Sequence, residues 1–151
     1  MQKGWHRTLL FLILLHACKG QSYLTSKCTE RPATATTSST INSWSDLKNL
    51  LETSTADEVV LPSFQVDKLS SEQPIILTST LAVSCVEGGA CILTSSEDGV
   101  GSLVLVRGEH ANVKIQGFTF KNASDGAIVV DKHVGMLEDG ELMVCDSNFI
   151  G

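Results

Sequence analysis

Between Leu103 and Phe149 short apolar runs follow one another in a fixed order, and then the order repeats. Residues 103–106, 113–115 and 118–120 make one round; residues 127–130, 142–144 and 148–149 make the next. The runs are three or four residues long, rich in Val, Ile and Phe, and separated by Gly, Asn and Asp. That composition and length predict short strands joined by turns. Repetition of a supersecondary unit at this scale predicts a solenoid.

Earlier segments align beneath these rounds. A first sheet collects 75–77, 103–106 and 127–130. A second collects 81–83, 113–115 and 142–144. A third collects 59–61, 91–93, 118–120 and 148–149. Matching positions recur at intervals from 24 (104 to 128) to 32 (81 to 113), with the differences absorbed in turns. One round of three short strands cannot bury its inward side chains alone. A second round, about 4.8 Å away, pairs its backbone and closes the layer. Val104 on Ile128, Ile115 on Val144 and Phe120 on Phe149 are the expected inward stacks. An antiparallel sandwich is the competing fold, with Asp98-Gly99, Asp125-Gly126 and Asp139-Gly140 as hairpin turns. Recurrence of three strands in constant order favours the parallel arrangement.

The N-terminal third reads differently. Lys3, His6 and Arg7 precede an apolar stretch over 8–15, and Ala17-Cys18-Lys19-Gly20 ends it with mostly small residues. That order predicts a signal peptide over 1–20 and export from the cell. Leu15-His16-Ala17-Cys18 also fits a lipobox, although His is unusual there. The apolar stretch is too short to span a bilayer, and no later segment is longer. Residues 21–42 are rich in Ser and Thr and lack periodicity, as expected of an arm or linker. Ser43 then opens a helix, with Asp46 as its acidic capping partner. Trp44, Leu47, Leu50 and Leu51 share one face of it. Because the helix lacks a basic face, it is expected to cover a core rather than bind a membrane. Residues 43–151 form the main domain.

The chain has 151 residues and a net charge of −6 with scattered basic residues, which argues against a nucleic-acid partner. Cleavage at Gly20 leaves Cys28, Cys85, Cys91 and Cys145, an even number in an exported chain, which predicts disulfides. Cys85 and Cys91 flank a turn with two glycines and are expected to pair locally. Cys28 and Cys145 can pair with each other, but nothing in the sequence requires it. No second close Cys/His pair completes a zinc site.

Gly117-Phe118-Thr119-Phe120-Lys121-Asn122-Ala123 followed by Asp125-Gly126-Ala127-Ile128-Val129-Val130 resembles right-handed parallel β-helix proteins of the pectin-lyase-like superfamily. The same phrase is similar to the short repeats of polymorphic outer-membrane proteins. The helix followed by Glu58-Val59-Val60-Leu61-Pro62 resembles the capped start of that superfamily. The resemblance covers residues 43–151 and implies an all-β fold: a right-handed parallel β-helix of about three coils with a short N-terminal capping helix. It also implies extracellular work, often on polysaccharide. The family's enzymes use calcium-bound carboxylates with a basic residue, or paired aspartates. Neither pattern is present, so no catalytic residue carries over. Calcium would be relevant only under a lyase reading; otherwise no cofactor is expected.

One row of titratable residues merits testing. Arg107 and Asp131 each follow a first-sheet strand and fall one round apart. Glu109 and His133 match in the same way. The four have the chemistry of an acid/base or calcium site; equally, they suit a solvated ion-pair ladder worth about 0–1 kcal/mol per pair. The first-sheet strands are apolar throughout, so Leu103, Leu105, Ala127 and Val129, or their neighbours, must face outward. An apolar outer stripe marks a covered face or a partner interface, with the arm over 21–42 as candidate cover. Asn122-Ala123-Ser124 is an N-glycosylation sequon; its alternative is an asparagine stacked inside the layers. The sequence stops just after a third-sheet strand, so an open terminal coil is expected, through truncation or for self-association. The sequence thus supports a secreted, non-catalytic protein for binding, adhesion or scaffolding on an extracellular polysaccharide or protein surface. The alternative is the N-terminal part of a polysaccharide lyase or glycoside hydrolase.

Overall fold

Ser43 starts the first regular element. Its hydroxyl accepts the Asp46 backbone N–H at 3.1 Å, and the Asp46 carboxylate accepts the Asn42 N–H at 3.2 Å. One donor of the first turn, and one just before the helix, are thereby satisfied. Helix α1 (Trp44–Thr53) follows and buries Trp44, Leu47 and Leu51. The computed structural model describes residues 28–96, 101–108, 111–123, 126–131 and 142–151. The signal peptide expected over 1–20 lies outside the described residues.

Beyond α1 the described chain is strand and turn. The strands are β1 (Glu58–Leu61), β2 (Phe64–Lys68), β3 (Ile75–Leu77), β4 (Leu81–Cys85), β5 (Cys91–Ser95), β6 (Val104–Val106), β7 (Val113–Gln116), β8 (Phe118–Lys121), β9 (Ile128–Val130), β10 (Leu142–Cys145) and β11 (Asn148–Ile150). They form three sheets, ordered β1-β4-β7-β10, β2-β5-β8-β11 and β3-β6-β9. We call these sheets A, B and C. Every pairing is parallel. The chain therefore visits A, B and C in turn and returns to A one strand further on. The described residues are mostly strand in parallel sheets, with one short helix.

The register places Val104 opposite Ile128, Ile115 opposite Val144 and Phe120 opposite Phe149. Apolar side chains of all three sheets meet in one core. A void of about 10 Å³ is lined by Leu51 of α1, Val83 and Ile115 of sheet A, Leu93 and Phe120 of sheet B, and Leu77 of sheet C, among others. That is space for one water at most.

The first round differs from the sequence expectation. Residues 59–61 pair with β4 in sheet A rather than joining the third sheet. The strand that begins sheet B is β2, which the apolar pattern concealed. Phe64, Val66 and Lys68 are buried while Gln65 and Asp67 are exposed. A lysine in the third inward slot breaks the apolar alternation on which the expectation relied. Pro62-Ser63 is the corner between β1 and β2.

The tightest corner is a single residue. Gly117 joins β7 to β8 with φ +79. A Cβ there would lie 2.6 Å from Arg31 Cδ and 3.2 Å from Cys85 Cβ. Left-handed backbone and close approach both require glycine. Gly117→Ala is expected to destabilise the fold by more than about 1 kcal/mol, read as a lowered midpoint in guanidinium unfolding.

The two ends of the sheets differ. At the first round, Thr36 and side chains of α1 occupy backbone groups that an edge strand would leave unpaired. Thr36 N–H donates to Val60 O at 2.9 Å, and Val60 N–H donates to Thr36 Oγ1 at 2.8 Å. From α1, Trp44 Nε1 donates to Gln73 O at 2.9 Å and Lys48 Nζ to Pro74 O at 2.8 Å, while the Glu52 carboxylate accepts the Ile76 N–H at 2.7 Å. At the last round, β9, β10 and β11 each have a strand neighbour on one side among the described residues. Phe149 and Ile150 there are 54% and 51% exposed.

Candidate functional site

Three places on this frame carry polar chemistry or an unusual surface. The first is the end of sheet C. Arg107 N–H donates to Leu77 O, and Asp131 N–H donates to Val106 O, each at 2.9 Å. The parallel ladder thus runs one residue beyond β6 and β9, and brings the two side chains together. Arg107 Nε and a terminal guanidinium nitrogen approach Asp131 Oδ2 at 3.0 and 2.9 Å. Gly108 then turns the chain at φ +130, where a Cβ would lie 3.1 Å from Thr78 O.

The pair is partly open to solvent, with side-chain exposures of 40% for Arg107 and 17% for Asp131. Glu109 and His133 lie outside the described residues. Among the described residues no three His, Cys, Asp or Glu side chains gather as a metal site would require. As described, the pair is an ion pair linking two rounds, of the kind worth about 0–1 kcal/mol.

The second place is a row on the outer side of sheet A. Val60, Ser84, Gln116 and Cys145 follow one another across β1, β4, β7 and β10. They face away from the shared core, yet all are nearly fully buried. The N-terminal arm covers them. Cys28 is bonded to Cys145. Thr29 accepts from Lys114 Nζ through its hydroxyl and from Gln116 Nε2 through its carbonyl. Arg31 lies over Gly117, Glu87 N–H donates to Pro32 O at 2.8 Å, and Thr36 meets Val60. Residues 28–36 therefore form a strap crossing all four strands of sheet A.

The arm over 21–42 was one candidate cover for the apolar first sheet, with a partner as the other; its residues 28–36 lie on a different sheet. Described residues of the arm lie on sheet A, where backbone carbonyls and threonine hydroxyls match the polar atoms of Lys114 and Gln116. Gln116 Nε2 also donates to Asp146 Oδ2 at 3.0 Å. Among the described residues Gln116 Oε1 has no partner. The second disulfide joins Cys85 to Cys91 across the turn between β4 and β5. Sequence reasoning missed Ser84 and Gln116, because a polar residue alternating with core positions looks like an ordinary solvent-facing one.

No protein-family model, curated protein or solved structure matches this chain.

The third place is the outer face of sheet C. Ile76 of β3 pairs with Leu105 of β6, and Leu105 pairs with Val129 of β9. All three are half-buried, whereas their neighbours Ile75, Leu77, Val104 and Val106 are buried in the core. The outward row is thus Ile76–Leu105–Val129. Leu103 and Ala127, expected to face outward together with Leu105 and Val129, are buried instead, at 0% and 8% exposure. They precede the strands proper, where the chain enters the sheet from its corner. Among the described residues no helix is long and apolar enough to cross a membrane.

Proposed function

We propose that this chain is a secreted, right-handed parallel β-helix of about three coils that serves as a non-catalytic binding or scaffolding module on extracellular surfaces. The coil reading is supported by the recurrence of sheets A, B and C in constant order around one core. Export is supported by the leader-like sequence over 1–20 and by two disulfides. The observation that carries the function is the apolar outer row of sheet C. Three aligned branched aliphatic side chains offer a flat, weakly hydrated strip, suited to the apolar faces of sugar rings or to another protein.

Sedimentation binding to a panel of cell-wall polysaccharides and intact cell surfaces tests this, using wild type, Leu105→Asp and Val129→Asp. An aspartate in the row must be desolvated on contact. Each variant is expected to lose roughly tenfold or more in affinity while keeping the wild-type unfolding midpoint. Undiminished binding by both folded variants would rule out sheet C as the contact face.

The ion pair at the end of the same sheet favours one second reading, a lyase or hydrolase acting on uronic-acid polymers. Under the binding reading, neither ultraviolet-absorbing nor reducing products form, with or without chelator. Turnover that disappears in Arg107→Ala would replace the binding reading with the enzymatic one.

A further inference from the structure

We propose that Asn122 carries an N-linked oligosaccharide. The site rests on the export reading above, because the sugar donor is met only inside the secretory pathway. Asn122-Ala123-Ser124 is the one Asn-X-Ser/Thr triplet in the sequence.

The sequence left two placements for this asparagine, outside in a turn or inside a stack. Asn122 directly follows β8, and it is exposed. Two residues earlier, Phe120 points inward at 1% exposure. The backbone of Asn122 turns at φ +54, a left-handed conformation that asparagine tolerates better than most residues. Its N–H is already used, donating to Ile150 O at 2.9 Å. The backbone is therefore tied into the sheet, while the residue is open to solvent, as a bulky, hydrated adduct requires.

The chemistry is a group transfer without redox change. The donor class is a lipid-pyrophosphate-linked oligosaccharide, delivered by a membrane-bound oligosaccharyltransferase. Asn122 Nδ2 forms a bond to the anomeric carbon of the first sugar. The bond from that carbon to the pyrophosphate oxygen breaks, and the lipid pyrophosphate leaves with the electron pair. One amide proton passes to a base of the transferase.

The test translates the full chain, with its own leader, alongside endoplasmic-reticulum microsomes. Wild type and Ser124→Thr are expected to show one upward mobility shift in the protease-protected fraction, removed by peptide-N-glycosidase. Asn122→Gln and Ser124→Ala are expected to lose the shift. A protected but unshifted wild type overturns the site while sparing the export reading. A chain that stays outside the microsomes overturns both.

Discussion

Replacing Cys28 and Cys145 together with serine is expected to lower the folding free energy by about 4.7 kcal/mol, the largest effect available to any single crosslink in the chain. The two half-cystines are 117 residues apart, and the loop they close spans nearly the whole described fold. Loop-closure entropy grows with the logarithm of loop length, and a loop on the order of 100 residues corresponds to that figure. Cys85 and Cys91 are 6 residues apart. The same relation gives about 2 kcal/mol for their removal. Small domains are stable by only about 5–15 kcal/mol, so losing the long crosslink brings the molecule close to unfolding. Guanidinium titration of the two double-serine variants measures the difference. Equal losses would contradict the long-loop account. The Cys28/Cys145 variant is also expected to be cut faster by protease within residues 28–36, because the strap loses the anchor that holds Thr29 against Gln116.

Phe120→Ala carries the second large effect, a loss of about 3–5 kcal/mol. Phe120 is 1% exposed in the core of sheet B. Its ring stacks on Phe118 at 6.0 Å and on Phe149 at 5.1 Å between centroids. Truncation leaves a cavity between two rounds that the short, paired strands cannot collapse to fill. Phe149 occupies the equivalent place one strand further on. Among the described residues its ring stacks on Phe120 alone, and it is 54% exposed. Phe149→Ala is therefore expected to cost about 1 kcal/mol or less, the scale of one aromatic stack. Thermal or denaturant unfolding of the two variants reads the contrast. Similar losses would mean that the last round is as well packed as the interior.

The parts of this fold that were legible in the sequence are those in which apolar side chains repeat. Val104 and Ile128, Ile115 and Val144, and Phe120 and Phe149 are paired in register because stacked parallel strands place like beside like, and that need is written at regular spacing. Helix α1 was legible from Ser43, Asp46 and the face formed by Trp44, Leu47 and Leu51. The strap was not. Its hold on sheet A uses backbone carbonyls, a disulfide and the hydroxyls of Thr29 and Thr36, none of which has a periodicity. A Ser/Thr-rich stretch with one proline reads as a linker whether or not it docks. Strand β2 was hidden for a related reason. Lys68 takes an inward slot at 2% exposure, and its long aliphatic stem fills space that the pattern assigns to an apolar residue.

At the candidate site, the meeting of Arg107 and Asp131 followed from register alone, since both stand one residue past matched strands. The difference between Leu105, which faces out, and Leu103, which does not, was beyond the sequence. Both are leucines in one apolar run, and only the point where the corner ends and the strand begins separates them. The burial of Ser84 and Gln116 beneath the strap was equally invisible, because it depends on a segment more than 40 residues away in the chain.

The stacked arrangement makes its most direct commitment in the disulfide connectivity. Cys28 can reach Cys145 only if the strap crosses the strands of sheet A from β1 to β10. Peptide mapping of the non-reduced, full-length protein by mass spectrometry decides the matter. The expected crosslinked peptides join Cys28 to Cys145 and Cys85 to Cys91. A link from Cys28 to Cys85 or Cys91 would contradict the strap and the order of sheet A together.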